Sequence, residues 1–595
     1  MKKLILVVTL ILGVLTNTAP HAAGAVDLRW QAWTDQLFTQ AQKQKKFVIL
    51  DLEAVWCHWC HVMDETTYRD PRVIELLASK FISVRVDQDA DPALSLRYED
   101  YGWPATVVFA PDGTEIVKRR GYLSPATMIS LLEAIIADPT PGPSVVTDEP
   151  VPTAGKGALS VAQRERLIMN YFGAYDNENG GWGTIHKFIH PESMEYALSN
   201  ARRDAHQAAM AKQTLDAALA LIDPVWGGVY QYSDERNWKS PHYEKIMSFQ
   251  ANYIRLYAEA YKHFGDPAYL KAAQAIERYL RDFLTDPNGA FYTSQDADAS
   301  HALSGKIFYA MNDRERRKQP QPRIDKHLYA RENGWAVAAL AALYEASGDK
   351  AVLERAVRAA HWAIQHRRID SGGFRHGDKD RTPPVLADTL AMGQAFLALY
   401  VATGERAWLI RAEQALAFMT TSFRDANGGY ITASIDASAI GVFKTPVRQV
   451  EENIALARLA NSLFHYTGNM RYREHTQHAM RYLTASQITD SRRFLAGVLL
   501  VDYQLANDPT HVTVVGRKRD VAAQALYNAA LRYPAGYRRI EWWDKHEGAM
   551  PNPDVQYPEL PKAAAFICTN KTCSLPIFEP QKIGSTIERI SNLAP

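Results

Sequence analysis

The chain has 595 residues, of which 47% are hydrophobic and 22% charged, and its formal net charge is +1. That length exceeds what one hydrophobic core serves and predicts two or three domains. The near-neutral balance leaves no basic surplus to neutralise phosphates, which excludes nucleic acid as an electrostatically held partner.

Met1-Lys2-Lys3, the apolar run Leu4 to Leu15 and the small residues Ala19, Ala22, Ala23 and Ala25 read as a secretory signal over 1–25, cut near Ala23-Gly24-Ala25. An uncleaved anchor is the competing reading, but the run is short of the ~20 residues that a span requires. No later segment reads as apolar enough to cross a bilayer. The mature protein is therefore expected to be periplasmic or secreted, free of the membrane, where disulfides persist. The four cysteines, Cys57, Cys60, Cys568 and Cys573, form two close pairs at opposite ends of the chain. A structural disulfide framework would be denser and more spread out, so the pairs read as a redox site and a clip, or as a relay.

Residues 26–138 read as one domain. Phe47 to Leu52 is a buried strand, Cys57 follows a short loop, and Val62 to Phe81 is helical with Pro71 kinking or dividing it. Ile82 to Asp87 alternates as a second strand. Thr106 to Phe109 enters a hairpin turn at Pro111-Asp112-Gly113, and a helix from about Ser124 to Ala137 closes the order. That is the element order of a thioredoxin fold. A dithiol exchanger needs one thiolate that attacks and a second thiol close enough to resolve the mixed disulfide. Cys57 at a helix N-terminus meets the first need, because unpaired N–H groups and the dipole stabilise its thiolate. Cys60, one turn in, meets the second, and protonated His58 and His61 would favour the thiolate further. A zinc half-site built from these four residues competes poorly, since ligands so close on one helix start seldom converge tetrahedrally. Neither a metal nor any other cofactor is expected. Leu50 to Cys57 resembles the thioredoxin active-site strand and loop. Asp51 then matches the buried carboxylate that assists the second thiol, and Pro104 the cis-proline that shapes the substrate groove. The lysine thioredoxins place opposite that carboxylate falls at Ser83.

A Pro-rich linker, 139–158, ends the domain. Residues 159–505 carry an internal repeat. Helices stop at Gly265-Asp266, Gly348-Asp349, Gly404-Glu405 and Gly468-Asn469, and a second helix follows each stop. Gly-aromatic turns recur at Gly181-Trp182, Gly228-Val229-Tyr230, Gly289-Ala290-Phe291, Gly373-Phe374 and Gly429-Tyr430. With a degraded turn near Ser491 this makes about six helical hairpins and predicts a closed (α/α)6 toroid; an open solenoid is the alternative. In a toroid the aromatic loops would line a funnel, putting Trp182, Trp226, Tyr230, Tyr232, Trp238, Tyr292 and Phe374 where rings stack on sugars. His186, Lys187, His242, Glu244, Asp296 and Asp298 would stand beside them, with two carboxylates to divide acid and base duties. A purely structural role for these residues is the plainer alternative. The tail, 506–595, reads as a small α/β element, with strands at His511 to Gly516 and Ala563 to Cys568 around a helix at Ala522 to Leu531. Cys568 and Cys573 would close a structural disulfide there, or exchange with Cys57 and Cys60 if the tail folds back to them.

The fold class is thus α/β plus α: a thioredoxin fold, an (α/α)6 toroid and a small α/β end. The chain resembles the spermatogenesis-associated protein 20-like, or YyaL-like, family, which joins a thioredoxin-like domain to a six-hairpin glycosidase-like domain. The resemblance rests on Cys57-His58-Trp59-Cys60-His61-Val62-Met63, Gly102-Trp103-Pro104, Gly181-Trp182-Gly183 with Lys187-Phe188, Pro241-His242-Tyr243-Glu244-Lys245 and Gln295-Asp296-Ala297-Asp298. Trp56 and Glu451-Glu452-Asn453 depart from the family pattern. The resemblance implies architecture more than reaction. Three functions follow: a thiol-disulfide oxidoreductase acting on protein clients or a redox partner, a carbohydrate-active protein with an accessory thioredoxin domain, or a binding scaffold.

Overall fold

The computed structural model describes residues 28–145, 154–378, 383–435, 439–491, 494–534, 536–569 and 572–593. The signal reading over 1–25 lies outside the described residues, as does the middle of the Pro-rich linker.

The N-terminal domain runs α1 (Leu37–Gln44), β1 (Phe47–Glu53), α2 (His58–Thr66), α3 (Pro71–Lys80), β2 (Phe81–Asp87), α4 (Pro92–Arg97), β3 (Ala105–Phe109), β4 (Glu115–Arg120) and α5 (Pro125–Ala137). Its sheet order is β2-β1-β3-β4, with β1 parallel to β2 and antiparallel to β3. This is the thioredoxin arrangement. Pro71 divides the long helix rather than kinking it: Asp70 caps α3 by accepting from Arg72 N and Val73 N, and Pro71 takes the first turn, where its missing N–H costs nothing. The Trp103–Pro104 peptide is cis.

Among the described residues, twelve helices of ten or more residues form the second domain: α6 (Val161–Gly173), α7 (Pro191–Asn200), α8 (Ala205–Ala218), α9 (Met247–Phe264), α10 (Pro267–Phe283), α11 (Ala330–Ser347), α12 (Lys350–His366), α13 (Leu386–Thr403), α14 (Arg406–Ser422), α15 (Val450–Thr467), α16 (Met470–Leu483) and α17 (Ala496–Ala506). The odd-numbered helices make an inner ring. Each packs on the next, and α17 returns to α7, so the ring closes and the open solenoid is ruled out. Gly265, Gly348, Gly404 and Gly468 end α9, α11, α13 and α15 in the left-handed conformation, as a residue without Cβ does most cheaply. Helix α13 is, by length and composition, apolar enough to cross a membrane, contrary to the sequence reading. It owes that composition to burial between neighbouring helices of the ring.

The fourth residue of four inner helices ties down the preceding aromatic turn. Gln250, Asn333, Thr389 and Asn453 accept from the backbone N–H groups of Val229, Phe291, Phe374 and Tyr430. These buried polar side chains hold four of the five aromatic turns against the start of an inner helix, at one face of the ring.

The tail continues as β5 (Thr510–Val515), α18 (Val521–Arg532), β6 (Arg538–Trp543), β7 (Ala564–Thr569), β8 (Thr572–Cys573) and α19 (Lys582–Leu593). Its sheet order is β6-β5-β7-β8, with β5 parallel to β6 and antiparallel to β7. Strand order, directions and helix placement repeat those of the N-terminal domain. The chain thus carries a second thioredoxin-like layer, which lies against the opposite face of the ring. Tyr527 Oη donates to Val401 O, Tyr466 Oη accepts from Ile540 N, and Arg538 pairs with Glu345, all in the last turns of inner helices.

Candidate functional site

The N-terminal domain sits over the ring face where the inner helices begin, with the CxxC turned into the joint. Cys57 and Cys60 form a disulfide, with Cα atoms 5.3 Å apart. Cys57 is the N-cap of α2, and its Sγ accepts from Cys60 N at 3.1 Å, so the helix start aims an N–H at this sulfur. Only 4% of Cys57 and 3% of Cys60 are exposed. They pack with Ala54, Trp56 and Trp103 of their own domain and with Ile246 and Phe249 of the toroid.

Alternation along two short strands makes the toroid side of this joint. Lys245 pairs with Gln295 in an antiparallel ladder. Both point into the ring, where Lys245 Nζ donates to Asp223 Oδ2 at 2.8 Å and Gln295 Oε1 accepts from Tyr279 Oη. Period-two geometry sends the next pair, Glu244 and Asp296, the other way, toward the CxxC. There His58 Nδ1 lies 2.5 Å from Asp298 Oδ2, and His61 Nδ1 lies 3.6 Å from Asp296 Oδ2. The Asp298 hydrogen bond raises the His58 pKa above the usual histidine value, and Asp298 itself is lowered. Burial pushes Glu244 up to about 7 and Asp296 up to about 6. His242 Nε2 bonds Asp234 Oδ2 at 2.6 Å, with its ring stacked on Tyr232, and its Nδ1 lies 4.0 Å from Glu244. His186 is the outermost member, 3.3 Å from Asp234. The histidines beside the cysteines and the carboxylates of the toroid therefore belong to one site, not two.

Other residues expected in the cleft are elsewhere. Lys187 is fully buried: its Nζ donates to Asp176 Oδ2, Gly180 O and Gly183 O, tying a Gly-Gly turn as Lys245 ties the next one. Trp238 donates to Asn179 O and packs on Gly181. Trp182, Trp226, Tyr230 and Phe374 are likewise buried, so they fill the joints between hairpins and offer no open stacking face. The Cys568–Cys573 disulfide joins β7 to β8 across the ring from Cys57. An 18-residue inner helix is about 27 Å long, so the tail does not fold back to the CxxC.

The cation opposite Asp51 is also supplied differently. The register sets Ser83 beside Ile49 and Arg85 beside Asp51. Arg85 lies 2.9 Å from Asp51 Oδ2, 3.2 Å from Glu53 Oε2 and also pairs with Asp64, with its guanidinium over Trp30. The cluster Asp51, Glu53 and Asp64 has metal-like spacing, but this guanidinium already occupies its centre. Burial still holds the Asp51 carboxyl up to about 6, against the pull of Arg85.

Sequence reasoning missed the second half of the joint. Asp89, just after β2, accepts from Trp56 Nε1 at 2.8 Å and lies 3.7 Å from Arg331, which pairs with Glu332. His376 bonds Asp388 through Nδ1 and the backbone O of Asp89 through Nε2 at 2.6 Å. A carbonyl can only accept, so Nε2 of this imidazole carries a proton, and the pKa of His376 is raised to about 9 by Asp388 against the cost of burial. Farther round, Gln449 Nε2 donates to Leu96 O, and Arg97 donates to the carbonyls of Val442 and Thr445.

Parts of the chain are similar to known proteins. Residues 19–136 match the family described as Thioredox_DsbH, protein of unknown function, DUF255. The chain is homologous to human spermatogenesis-associated protein 20, with 28% identity over 315 residues; the match spans 47% of this chain and only 40% of that protein. It is also 29% identical over 101 residues to the thiol:disulfide interchange protein DsbD of Campylobacter jejuni strain RM1221, covering 17% of this chain and 18% of the other. Among solved structures, the cellobiose 2-epimerase of Bacillus thermoamylovorans B4167 is similar at 11% identity and a TM-score of 0.43, over 54% of this chain and 86% of that one. The ring assignment rests on the helix packing described above, not on that likeness.

Proposed function

We propose that the chain is a thiol-disulfide oxidoreductase of the cell envelope in which Cys57 exchanges with substrate and Cys60 resolves. One observation carries this: a CxxC disulfide spans the first turn of α2 in a thioredoxin-fold domain, with the Cys57 sulfur held by the Cys60 amide. In the reduced form that amide and the helix dipole stabilise a Cys57 thiolate, and His58 beside it, whose protonated form Asp298 favours, adds to the effect when charged. Asp51 takes up the proton of Cys60, a role suited to a carboxyl near pKa 6. The similarity to DsbD segments supports a thiol-disulfide role for this domain. The envelope location draws on the signal-like 1–25 pattern alone.

The carbohydrate-active reading gains no specific support, because five of the seven rings it needs, Trp182, Trp226, Tyr230, Trp238 and Phe374, are packed inside the toroid. The deciding experiment is Cys60→Ala in the full chain, which by expectation accumulates a mixed disulfide through Cys57 that dithiothreitol reverses. A variant that captures no thiol or disulfide compound, small or large, removes the proposal.

A further inference from the structure

A dithiol that serves folded proteins must leave its attacking sulfur and cis-proline edge open, so that a client strand can lie across them. Here that surface is roofed. Ile246 and Phe249 of the toroid lie on the disulfide, together with Trp103 of the cis-proline segment. The roof is fixed along its length by Asp89 with Trp56 and Arg331, by His376, and by Gln449 and Arg97. Cys57, Cys60 and Pro104 are all buried, which leaves a client strand no open edge to lie along.

The polar rim of the site has an uneven balance. Asp298 holds His58 and the N–H of Gly305, and Asp296 accepts from Asp298 N and faces His61. Glu244 differs. It is 4% exposed, two residues before Ile246, and its Oε2 has no hydrogen-bond partner among the described residues. Its ion-pair neighbour, His242 Nδ1, is 4.0 Å away. A buried carboxylate oxygen without a donor is costly, and an ammonium group brought in by a ligand would relieve that cost.

We propose that the Cys57–Cys60 disulfide exchanges with a low-molecular-weight thiol that carries a cationic amine near its sulfur, and that Glu244 receives the ammonium. This rests on the oxidoreductase reading above. The thiolate RS⁻ attacks Cys57 Sγ, the RS–S bond forms, the Cys57–Cys60 bond breaks, and its electron pair leaves on Cys60, which takes up a proton. A second RS⁻ attacks the substrate sulfur of the mixed disulfide and releases Cys57 as thiolate. Two thiols become one disulfide and the protein gains two electrons.

The test follows reduction of the oxidised full chain by tryptophan fluorescence, using cysteamine, 2-mercaptoethanol, 3-mercaptopropionate and a reduced, unfolded polypeptide. Rates are taken per thiolate and divided by those for an unstructured CHWC disulfide peptide. The expected order is cysteamine first, about tenfold above 2-mercaptoethanol, with 3-mercaptopropionate below both and the polypeptide slowest. Glu244→Gln should collapse the cysteamine to 2-mercaptoethanol ratio, whereas a merely structural role would scale both rates together. A polypeptide as fast as the small thiols, or no amine preference in the wild-type chain, overturns the inference while leaving the oxidoreductase reading intact. Failure of every thiol, dithiothreitol included, to reduce Cys57–Cys60 overturns that parent reading instead.

Discussion

The two ends of this molecule use one topology for different purposes. Both sheets place a parallel βαβ unit beside an antiparallel hairpin and a final helix, and each lies on one face of the same ring. What differs is the junction where the first strand enters its helix. In the N-terminal layer Cys57 is the helix cap and Cys60 follows one turn later. In the tail the junction is Gly516-Arg517-Lys518-Arg519-Asp520, and Asp520 is an ordinary carboxylate cap on Ala522 N. The tail's cysteines sit in its hairpin instead, at the edge of the sheet. On the proposed reading, fold alone does not make a redox centre, and the sulfur at the helix start is what sets the first layer apart.

The largest effect expected from this contrast is the asymmetry of the two disulfides. Cys57→Ser should lower thiol exchange to background, even though serine remains a good helix cap. Replacing both Cys568 and Cys573 by Ser should leave the exchange rate within about twofold and cost about 2 kcal/mol of stability in denaturant titration, as expected for a short closed loop. Exchange activity that depended on the tail pair would break the comparison, and with it the separation of the two faces.

Next in size is the joint that the N-terminal layer makes over its disulfide. Asp89→Ala strands the Trp56 indole N–H and removes a partner of Arg331. Leaving a buried donor unsatisfied costs about 1–3 kcal/mol. Loosening the roof should speed reduction of Cys57–Cys60 by a protein-sized thiol more than by 2-mercaptoethanol. Equal acceleration of both would mean that the roof does not control access.

Local order made the N-terminal layer legible in the sequence. Its first strand begins with a continuous apolar run and its second alternates, its cysteines stand three apart, and Pro104 follows at the right place. The ring was legible because Gly265, Gly348, Gly404 and Gly468 end helices wherever they recur. The joint was not. Glu244 and Asp296 share one face only because two-residue strands alternate, and two residues are too few for a period to show. His376 meets Asp89 across 287 positions of sequence, with no motif at either end. The tail's kinship to the first domain was hidden by β6, whose Arg539 and Glu541 break the apolar pattern yet lie buried as a pair 2.6 Å apart, with His511 on the same carboxylate. Buried ion pairs look like surface in a sequence.

The smallest effect concerns pH, and its sign follows from the shifts at the joint. His58 is raised by Asp298, so its share of the stability is fully present below the unfolded histidine value near 6.5 and fades as pH rises through the higher folded value. Asp298 is lowered, so its share is present above the unfolded value near 3.8 and fades as pH falls through the lower folded one. The pair therefore stabilises docking most between about pH 4 and 6.5. Asp298→Asn should lower stability there by about 1 kcal/mol or less, since His58 is partly exposed and solvent screens the pair. The difference from wild type should shrink on the alkaline side, read as melting temperature against pH. Glu244 and Asp296 act in the same alkaline direction: both are raised, so the docked form binds more protons than the unfolded chain, and their contribution declines as pH climbs from about 4 to about 7. The tail has no such cluster of histidines at its helix start. A variant with the whole Cys568–Cys573 hairpin replaced should therefore keep the same pH profile, and a changed profile would show that the two faces of the ring are coupled.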